Sequence, residues 1–249
     1  MNFLSLFKRK LIYKLKKKIS VDKDNLLDNS LDNLFHFYGS DKAELFKLNN
    51  SQGHGFSKYY IKHLEKLKKN DLNILELGSY AGASAVAFSK YFTNSKIFCL
   101  DINISNFKYT SKNIDVYGLN IRNIDKVKIV LKKIFLKNNF NKFDLIIDDG
   151  SHKLSDILFC FNFFFKYVKK GGIFIIEDFK HPNYFSHNKD VDDILVEDLL
   201  KKISLKEQFQ SSFFNIDDQQ YLFSSIDTIN TYKGNLDISD ICFISKKLN

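Results

Sequence analysis

The feature that most constrains this fold is a regular alternation of apolar, strand-length runs with amphipathic, helix-length stretches, which begins at residue 72. The runs predict five strands, at 72–78, 96–102, 114–119, 143–148 and 172–178. The stretches between them predict helices at 83–92, 105–113, 125–138 and 154–170, the last closed by two glycines. Such alternation is typical of an α/β fold with a doubly wound, mostly parallel sheet. After a helix at 191–209, two late strands at 224–234 and 239–247 predict an antiparallel last strand at one edge.

Two shorter segments precede this region. Residues 21–33 are polar, which suggests a linker or a helix start, and residues 31–70 have the pattern of a helix, a glycine-containing loop and a second helix. Together, residues 21–70 predict a helical cap over the domain of residues 71–249. Residues 1–20 contain seven Lys or Arg and no acid, with apolar residues three or four positions apart, which predicts a basic amphipathic tail. Such a helix lies on an anionic membrane surface, packs on the body or frays in solvent. The tail has no apolar run long enough for a bilayer span or a secretory signal.

The net charge of +9 is concentrated in the tail. Its seven basic residues leave +2 for the rest of the chain, which lacks the strong positive charge of a nucleic-acid-binding domain. We therefore expect no nucleic-acid partner. The three cysteines are widely spaced, so neither a disulfide framework nor a zinc site is indicated. A reducing, cytoplasmic compartment is expected.

The segment "ILELGSYAGASAVAF" joins the first predicted strand to its helix and contains Glu76, Gly78 and Gly82. Ligands of doubly wound folds bind at the carboxyl ends of the strands, where glycines let the backbone approach a cofactor. The spacing differs from G-x-G-x-x-G and no Walker lysine follows, which disfavours pyrophosphate binding. Asp101 ends the second strand, where a carboxylate can accept hydrogen bonds from both ribose hydroxyls. A tight turn and a helix cap are the alternative interpretation, but loop and acid together favour a nucleoside-type cofactor.

Two neighbouring predicted strands end in acids, Asp148-Asp149 and Glu177-Asp178. Carboxyl ends of adjacent parallel strands share one edge, so these carboxylates are expected to converge on one cleft. Oxygen ligands suit Mg²⁺, for which Asp149, Glu177 and Asp178 make a ligand set. His152 follows closely and can take the proton of a hydroxyl whose pKa the ion lowers. The alternative is that Asp149 or Ser151 caps the helix predicted at 154–170 and that His152 is a surface residue of its first turn.

With these motifs, the chain resembles the class I S-adenosylmethionine-dependent methyltransferases over residues 72–180, through "ELGSYAGAS" and the acid of "CLDI". The stretch "IIDDGSH", followed by "GGIFIIEDF", is similar to the metal-dependent O-methyltransferases of macrolide sugars, the mycinamicin and macrocin type. The resemblance implies a Rossmann-like methyltransferase fold with S-adenosylmethionine and Mg²⁺ as cofactors. The stretches "FYGSDK" and "GHGFSKYY" look like the amino-terminal cap motif of that group.

The resemblance also implies roles for single residues. The cofactor-binding residues are expected to be Glu76, Gly78, Ser79, Tyr80, Gly82, Ser84, Asp101, Asn120 and Asp148. Asp101 would hold the ribose, and Asn120 replaces the acid that such proteins often carry near the adenine. The metal would be bound by Asp149, Glu177 and Asp178, with Asp149 also part of the catalytic site and His152 as general base.

These features predict an S-adenosylmethionine-dependent, Mg²⁺-dependent O-methyltransferase that acts on a hydroxyl of a small-molecule sugar or glycan-type acceptor. Three alternatives stay open: methylation of a non-sugar oxygen, a non-catalytic glycan-binding scaffold of the same fold, and an RNA methyltransferase. The acids and His152 argue against a scaffold, and the small charge of the body argues against RNA. The sequence is compatible with a homo-oligomer. It is also compatible with a location at the inner face of the membrane, which residues 1–20 would contact.

Overall fold

The computed structural model describes residues 3–24 and 30–249 and divides the chain into two compact units, Met1–Phe140 and Asn141–Asn249. Residues 1–2 of the predicted tail and 25–29 of the predicted cap lie outside the described residues. The predicted domain boundaries, after residues 20 and 70, fall inside the first unit and stay predictions.

The first unit contains the predicted tail helix, the cap and the first half of the strand–helix alternation. Its helices are α1 (Phe3–Leu15), α2 (Leu31–Tyr38), α3 (Ser57–Leu64), α4 (Ala83–Tyr91) and α5 (Ile124–Asn138). Its strands are β1 (Ile19–Ser20), β2 (Leu45–Phe46), β3 (Ser51–Gln52), β4 (Asn73–Leu77), β5 (Lys96–Asp101), β6 (Tyr109–Thr110) and β7 (Ile114–Gly118). The three predicted strands of this unit correspond to β4, β5 and β7.

Parallel pairing of β4, β5 and β7 positions the polar residues that follow them. Leu75 lies opposite Phe98 in β5, and Cys99 lies opposite Val116 in β7. The interiors of β4 and β5 are buried, as their near-continuous apolar runs predict. Because the three strands run the same way, their carboxyl ends lie at one edge.

Hydrogen bonds to one acid hold the cap together. Asp32, in the first turn of α2, accepts hydrogen bonds from the Glu44 N–H at 2.9 Å and the Ser57 hydroxyl at 2.6 Å. α2 also packs on α4, where the Phe35 and Phe88 rings meet edge to face at 5.2 Å. The predicted helix–loop–helix over 31–70 is therefore confirmed, with a small β2–β3 hairpin in its loop.

The second unit contains the remaining strands. They are β8 (Phe143–Asp148), β9 (Val168–Glu177), β10 (Ile226–Lys233) and β11 (Asp240–Lys246). Its helices are α6 (Leu154–Phe165), α7 (His181–Tyr184), α8 (Val196–Leu205) and α9 (Ile216–Ser225). β8 and β9 are parallel, whereas β11 is antiparallel to both β9 and β10. The predicted mixed α/β fold, with a mostly parallel sheet and an antiparallel last strand, is confirmed.

Two predicted helices are longer than the helices in the structure. α6 ends at Phe165 rather than at 170, because Val168 already pairs with Phe143 and both closing glycines lie inside β9. Gly172 is needed in that strand, since a Cβ there would lie 2.6 Å from the Asp144 carbonyl oxygen. The helix predicted at 191–209 is limited to α8.

Two further elements differ from the sequence prediction. The helix predicted at 105–113 is wrong: this segment holds the end of a 3₁₀ turn, Ile104–Asn106, and β6, which pairs in parallel with β1. The sequence also did not predict α9, whose polar composition hides its helical period. A reciprocal capping box of Asn215 and Asp218 starts that helix.

Asp218→Asn is expected to flatten the dependence of stability on pH in acid. Burial would raise the pKa of the Asp218 carboxyl, but hydrogen bonds from Lys166 and Asn162 outweigh it and lower the pKa below its usual value of 3.8. Because the pKa is lower in the folded state, the ionised carboxyl stabilises the folded protein at pH values above the pKa of the unfolded state. This stabilisation is lost as the pH falls through the pKa of the folded state. Below about pH 4, the wild type should therefore lose unfolding free energy more steeply than the variant.

Urea denaturation at a series of pH values measures this difference. Asp217→Asn changes the exposed neighbouring acid and is the matched control, expected to keep the wild-type slope. Identical slopes for Asp218→Asn and the wild type would contradict the prediction.

Candidate active site

Three residues of the loop between β4 and α4 have a left-handed backbone conformation, with positive φ. Gly78 has φ 82° and Gly82 has φ 83°, conformations that cost other residues about 1–2 kcal/mol. Tyr80 has φ 41° although it is not glycine, and it is 72% exposed. A strained, exposed aromatic residue at the tip of a loop is typical of a position that contacts a ligand.

The carboxylate of Asp101 holds this loop in place from the end of β5. Its Oδ2 accepts hydrogen bonds from the backbone N–H groups of Ser79 at 2.9 Å and Tyr80 at 2.8 Å, and its Oδ1 accepts one from Asn103. Since a carboxylate offers about four acceptor sites, one remains for a ribose hydroxyl. Asp101 therefore shapes the loop, and its hold on both ribose hydroxyls stays a prediction.

Glu76 connects β4 to the first turn of α4. It is fully buried and accepts a hydrogen bond from the Ser84 hydroxyl at 2.5 Å, while the Cys99 thiol lies 3.8 Å from its other oxygen. Burial and the neighbouring Glu76 charge raise the pKa of the Cys99 thiol well above its usual value, so the thiol stays protonated as a donor. These contacts give Glu76 and Ser84 a structural role beside their predicted contact with the cofactor.

Asn120 lies at the same edge, just after β7. Its side-chain oxygen accepts a hydrogen bond from the Arg122 N–H at 2.9 Å, and Leu119 before it donates to the Asp101 carbonyl at 3.0 Å. At the carboxyl edge of β4, β5 and β7 the structure thus brings together the predicted cofactor residues of this unit: Glu76, Gly78, Ser79, Tyr80, Gly82, Ser84, Asp101 and Asn120. Asp148 belongs to the second unit.

Gly82→Ala is expected to destabilise the chain by about 1–3 kcal/mol more than Gly39→Ala does. Both glycines have nearly the same positive φ, 83° and 79°, so the backbone strain of alanine is matched. A Cβ at Gly82 would lie 2.5 Å from the Phe107 ring, whereas nothing lies within 4 Å of one at Gly39. Urea denaturation of both variants measures the difference, and equal losses would show that the loop can move away from Phe107.

In the second unit, the acids at the ends of β8 and β9 gather at one edge, as predicted. Asp148 lies opposite Ile176 in the register of the two strands, so Glu177 and Asp178 follow at the same level. Asp148, Glu177 and Asp178 are all buried. Burial raises the pKa of Asp148 well above its usual value, and the charges of Asp149 and Asp156 add to this.

Asp148 also has a buried oxygen, Oδ2, with no hydrogen-bond partner among the described residues. A buried polar atom of this kind marks a position where a bound group supplies the missing interaction. The surroundings of Asp148 therefore fit a ligand or a metal-bound water better than a closed core.

His152 lies beside Asp149, with its Nε2 3.7 Å from Asp149 Oδ1. The backbone of His152 has φ 55°, and its carbonyl accepts a hydrogen bond from the Asn188 side chain at 2.9 Å. This strained and anchored loop places the predicted base next to a predicted metal ligand. The alternative that Asp149 or Ser151 is the cap of α6 is wrong, because Lys153 is the N-cap residue and its side chain makes no capping hydrogen bond.

A histidine that the sequence motifs did not indicate completes the cluster. Among the described residues, one ligand atom each of His152, Asp178 and His181 lies within 4.8 Å of the other two. His181 Nε2 is 3.7 Å from Asp178 Oδ1, and the two imidazole rings lie 4.9 Å apart. In the sequence, the feature that could have indicated His181 is its position three residues after Asp178, the second acid of the Glu-Asp pair.

The donor atoms at this edge fit a divalent cation. Carboxylate oxygens are hard ligands and imidazole nitrogens borderline ones, and buried acids are tolerated where a cation compensates them. The predicted ligands Asp149, Glu177 and Asp178 lie at this edge, and Asp178 also belongs to the group with the two histidines. Their joint binding of one ion stays a prediction.

A protein-family model described as a methyltransferase domain matches residues 75–179, from β4 to just beyond the end of β9. Over this segment the chain is similar to a methyltransferase domain. The segment contains the glycine loop, Asp101, both pairs of acids and His152. The resemblance stated from the sequence motifs is therefore confirmed.

Several curated proteins match half of the chain or less. Mycinamicin VI 2''-O-methyltransferase of Micromonospora griseorubida is 26% identical over 133 residues, 50% of this chain and 31% of the relative. L-olivosyl-oleandolide 3-O-methyltransferase of Streptomyces antibioticus is 30% identical over 132 residues, 50% of this chain and 32% of the relative. An uncharacterized protein of Acanthamoeba polyphaga mimivirus, R132, is 28% identical over 123 residues, 45% of this chain and 54% of the relative. The matches thus span from about a third to about half of the relatives' length.

A solved structure resembles almost the whole chain. MycE, a methyltransferase from the mycinamycin biosynthetic pathway in complex with Mg, SAH and mycinamycin VI, superposes with a TM-score of 0.67 at 19% identity. The superposition covers 89% of this chain and 55% of MycE. At this identity the likeness shows that the chain shares the fold of MycE, and it shows the fold alone.

Proposed function

We propose that this chain is an S-adenosylmethionine-dependent O-methyltransferase that uses a divalent ion such as Mg²⁺ and methylates a sugar hydroxyl. The observation that carries the proposal is a methyltransferase domain that combines the glycine loop with a histidine beside clustered acids. Two relatives are named for O-methylation of glycosylated macrolides, and MycE holds Mg and SAH. A small-molecule glycoside is therefore the proposed acceptor class.

The first unit would bind the cofactor, which supplies an electrophilic methyl group. Gly78 and Gly82 let the backbone approach it closely, since neither carries a side chain at the loop's sharp turns. Asp101 has one acceptor site left for a ribose hydroxyl, and the exposed ring of Tyr80 is available to cover the bound nucleoside.

The second unit would remove the proton of the acceptor hydroxyl. His152 would accept that proton, beside the Asp149 carboxylate, whose Oδ1 lies 3.7 Å from its Nε2. Asn188 holds the His152 backbone and so limits the positions of the ring. Asp149, Glu177 and Asp178 would hold the divalent ion, which lowers the pKa of a hydroxyl bound to it.

His152→Ala is expected to lower kcat for methyl transfer about 10²- to 10⁴-fold, because general-base catalysis typically contributes a factor of that size. Transfer of a labelled methyl group from S-adenosylmethionine to a panel of glycosides, phenols and RNA measures it and identifies the acceptor class. The affinity for S-adenosylhomocysteine, measured by calorimetry, should be the same in the variant and the wild type. His187→Ala alters an exposed histidine and is the matched control, expected to keep wild-type activity.

Three outcomes would contradict parts of this proposal. Wild-type kcat in His152→Ala would exclude His152 as the base. Transfer to phenols or RNA but not to glycosides would exclude a sugar acceptor. Cofactor binding without transfer to any acceptor would favour a non-catalytic scaffold of the same fold.

We also propose that α1 binds an anionic membrane surface. The helix packs on the body through its polar side, where Arg9 and Lys16 donate hydrogen bonds to backbone carbonyls of residues 102 and 105, both at 3.1 Å. The Tyr13 ring contacts the Phe107 ring edge to face on the same side. The apolar side of the helix is therefore turned outward, opposite to the usual arrangement of a surface helix.

The outward side has the composition of a membrane-surface helix. Its exposed apolar residues are Phe7 (61%), Leu11 (47%), Ile12 (43%) and Leu15 (77%). Exposed lysines, Lys8, Lys14 and Lys17, accompany them and complement anionic lipid headgroups. Within the described part of the chain, no helix is both long and apolar enough to cross a bilayer. The proposed location is the cytoplasm, at the inner face of the membrane.

Leu11→Ser combined with Leu15→Ser is expected to lower binding to phosphatidylserine vesicles about tenfold or more, because two exposed apolar contacts are lost. Co-sedimentation with vesicles measures it, and wild-type binding should weaken with salt and be lost on phosphatidylcholine alone. Leu136→Ser changes a leucine on α5 that is as exposed as Leu15, and it is the control. Self-association of the wild type without vesicle binding would instead assign this face to a homo-oligomer contact.

A further inference from the structure

His181 lies beside Asp178 because the chain turns tightly after β9. Asp178 has φ 51°, its N–H donates a hydrogen bond to the Asp240 carbonyl at 2.6 Å, and its own carbonyl accepts one from the His181 N–H at 2.9 Å. The turn brings His181 Nε2 to 3.7 Å from Asp178 Oδ1. The proton transfer proposed above makes no use of His181.

Two rings fix the orientation of the His181 imidazole. The Phe185 ring packs nearly perpendicular to it at 5.3 Å, and the His152 ring lies 4.9 Å away. The side chains of His181 and Asp178 are only 15% and 8% exposed. An imidazole held in this way loses little conformational freedom when it binds an ion, which is how preorganised ligands gain affinity.

The spacing of the polar atoms suits two ligands of one ion better than a direct bond between them. A distance of 3.7 Å between His181 Nε2 and Asp178 Oδ1 exceeds the hydrogen-bond range of about 2.7–3.2 Å. Ligand atoms about 2.1 Å from a shared ion lie about 3.0 Å apart when adjacent in an octahedron and about 4.2 Å apart when opposite. The observed distance lies between these two values, so a small movement of either side chain brings the two atoms to neighbouring positions on one ion.

We propose that His181 is a nitrogen ligand of the divalent ion at this edge, next to Asp178. The inference rests on the metal site of the proposed function and changes its metal preference, while His152 remains the base. An all-carboxylate set suits Mg²⁺, whereas an imidazole nitrogen favours transition metals such as Mn²⁺, Co²⁺ and Zn²⁺. The chain therefore binds Mn²⁺ in preference to Mg²⁺.

Electron spin-echo spectroscopy of the full chain loaded with Mn²⁺ tests the nitrogen ligand directly. Labelling histidine with ¹⁵N identifies any imidazole nitrogen that is coupled to the ion. One coupled histidine is expected in the wild type, in His152→Ala and in the control His187→Ala, and none in His181→Ala. Absence of coupling in the wild type overturns the proposal whether or not the variants fold. Coupling that is lost in His152→Ala and kept in His181→Ala also overturns it.

Calorimetry with Mn²⁺ or Mg²⁺ alone tests the metal preference. His181→Ala should lower the affinity for Mn²⁺ about tenfold or more and the affinity for Mg²⁺ much less, while His187→Ala leaves both unchanged. Equal losses for the two ions, or no Mn²⁺ binding by the wild type, would overturn the proposal. Both metal-binding experiments are done without S-adenosylmethionine and without an acceptor. The proposal that His181 is a metal ligand and the proposal of methyl transfer are therefore tested independently. Methyl transfer without a histidine–Mn²⁺ coupling refutes only His181, and coupling without methyl transfer refutes only the enzymatic proposal.

Discussion

Parallel strand pairing is the constraint on which the rest of this structure depends, because it gathers residues that are distant in sequence at one edge of each unit. Inside β4, β5, β8 and β9 the backbone groups pair with neighbouring strands and apolar side chains fill the core. Where the strands end, N–H groups become available to carboxylates, and polar side chains can meet without crossing the core. Asp101 in the first unit and the acids of the second unit both occupy such ends.

The two units compensate their buried acids in different ways. Asp101 accepts three backbone hydrogen bonds and so stabilises the loop of Ser79 and Tyr80. Asp148 keeps a buried oxygen without a hydrogen-bond partner among the described residues, and its pKa is raised by burial and by neighbouring acids. The first arrangement builds a rigid loop, whereas the second stays costly until a positive charge arrives, which is how a preorganised metal site is expected to behave.

Local patterns predicted the elements that have strong periodicity and failed where pairing partners decide the outcome. The alternation from residue 72 predicted the strands on which the site is built, because a buried parallel strand needs a continuous apolar run. The end of α6 was misplaced because the pairing of Val168 with Phe143 outweighs the helical preference of the residues before Gly171. β6 was mistaken for a helix because its pairing with β1 depends on a partner about 90 positions away.

By itself, the sequence determined the α/β class, the glycine loop, the acids at the strand ends and the amphipathic character of the tail. These properties follow from residue type and spacing, which are local. Only the tertiary structure decided that α1 turns its apolar side outward, that Asp101 is largely occupied by its own loop and that His181 joins His152 and Asp178. Each of these depends on which distant segments meet, and the free energy of such contacts is set by three-dimensional packing that no stretch of sequence specifies alone.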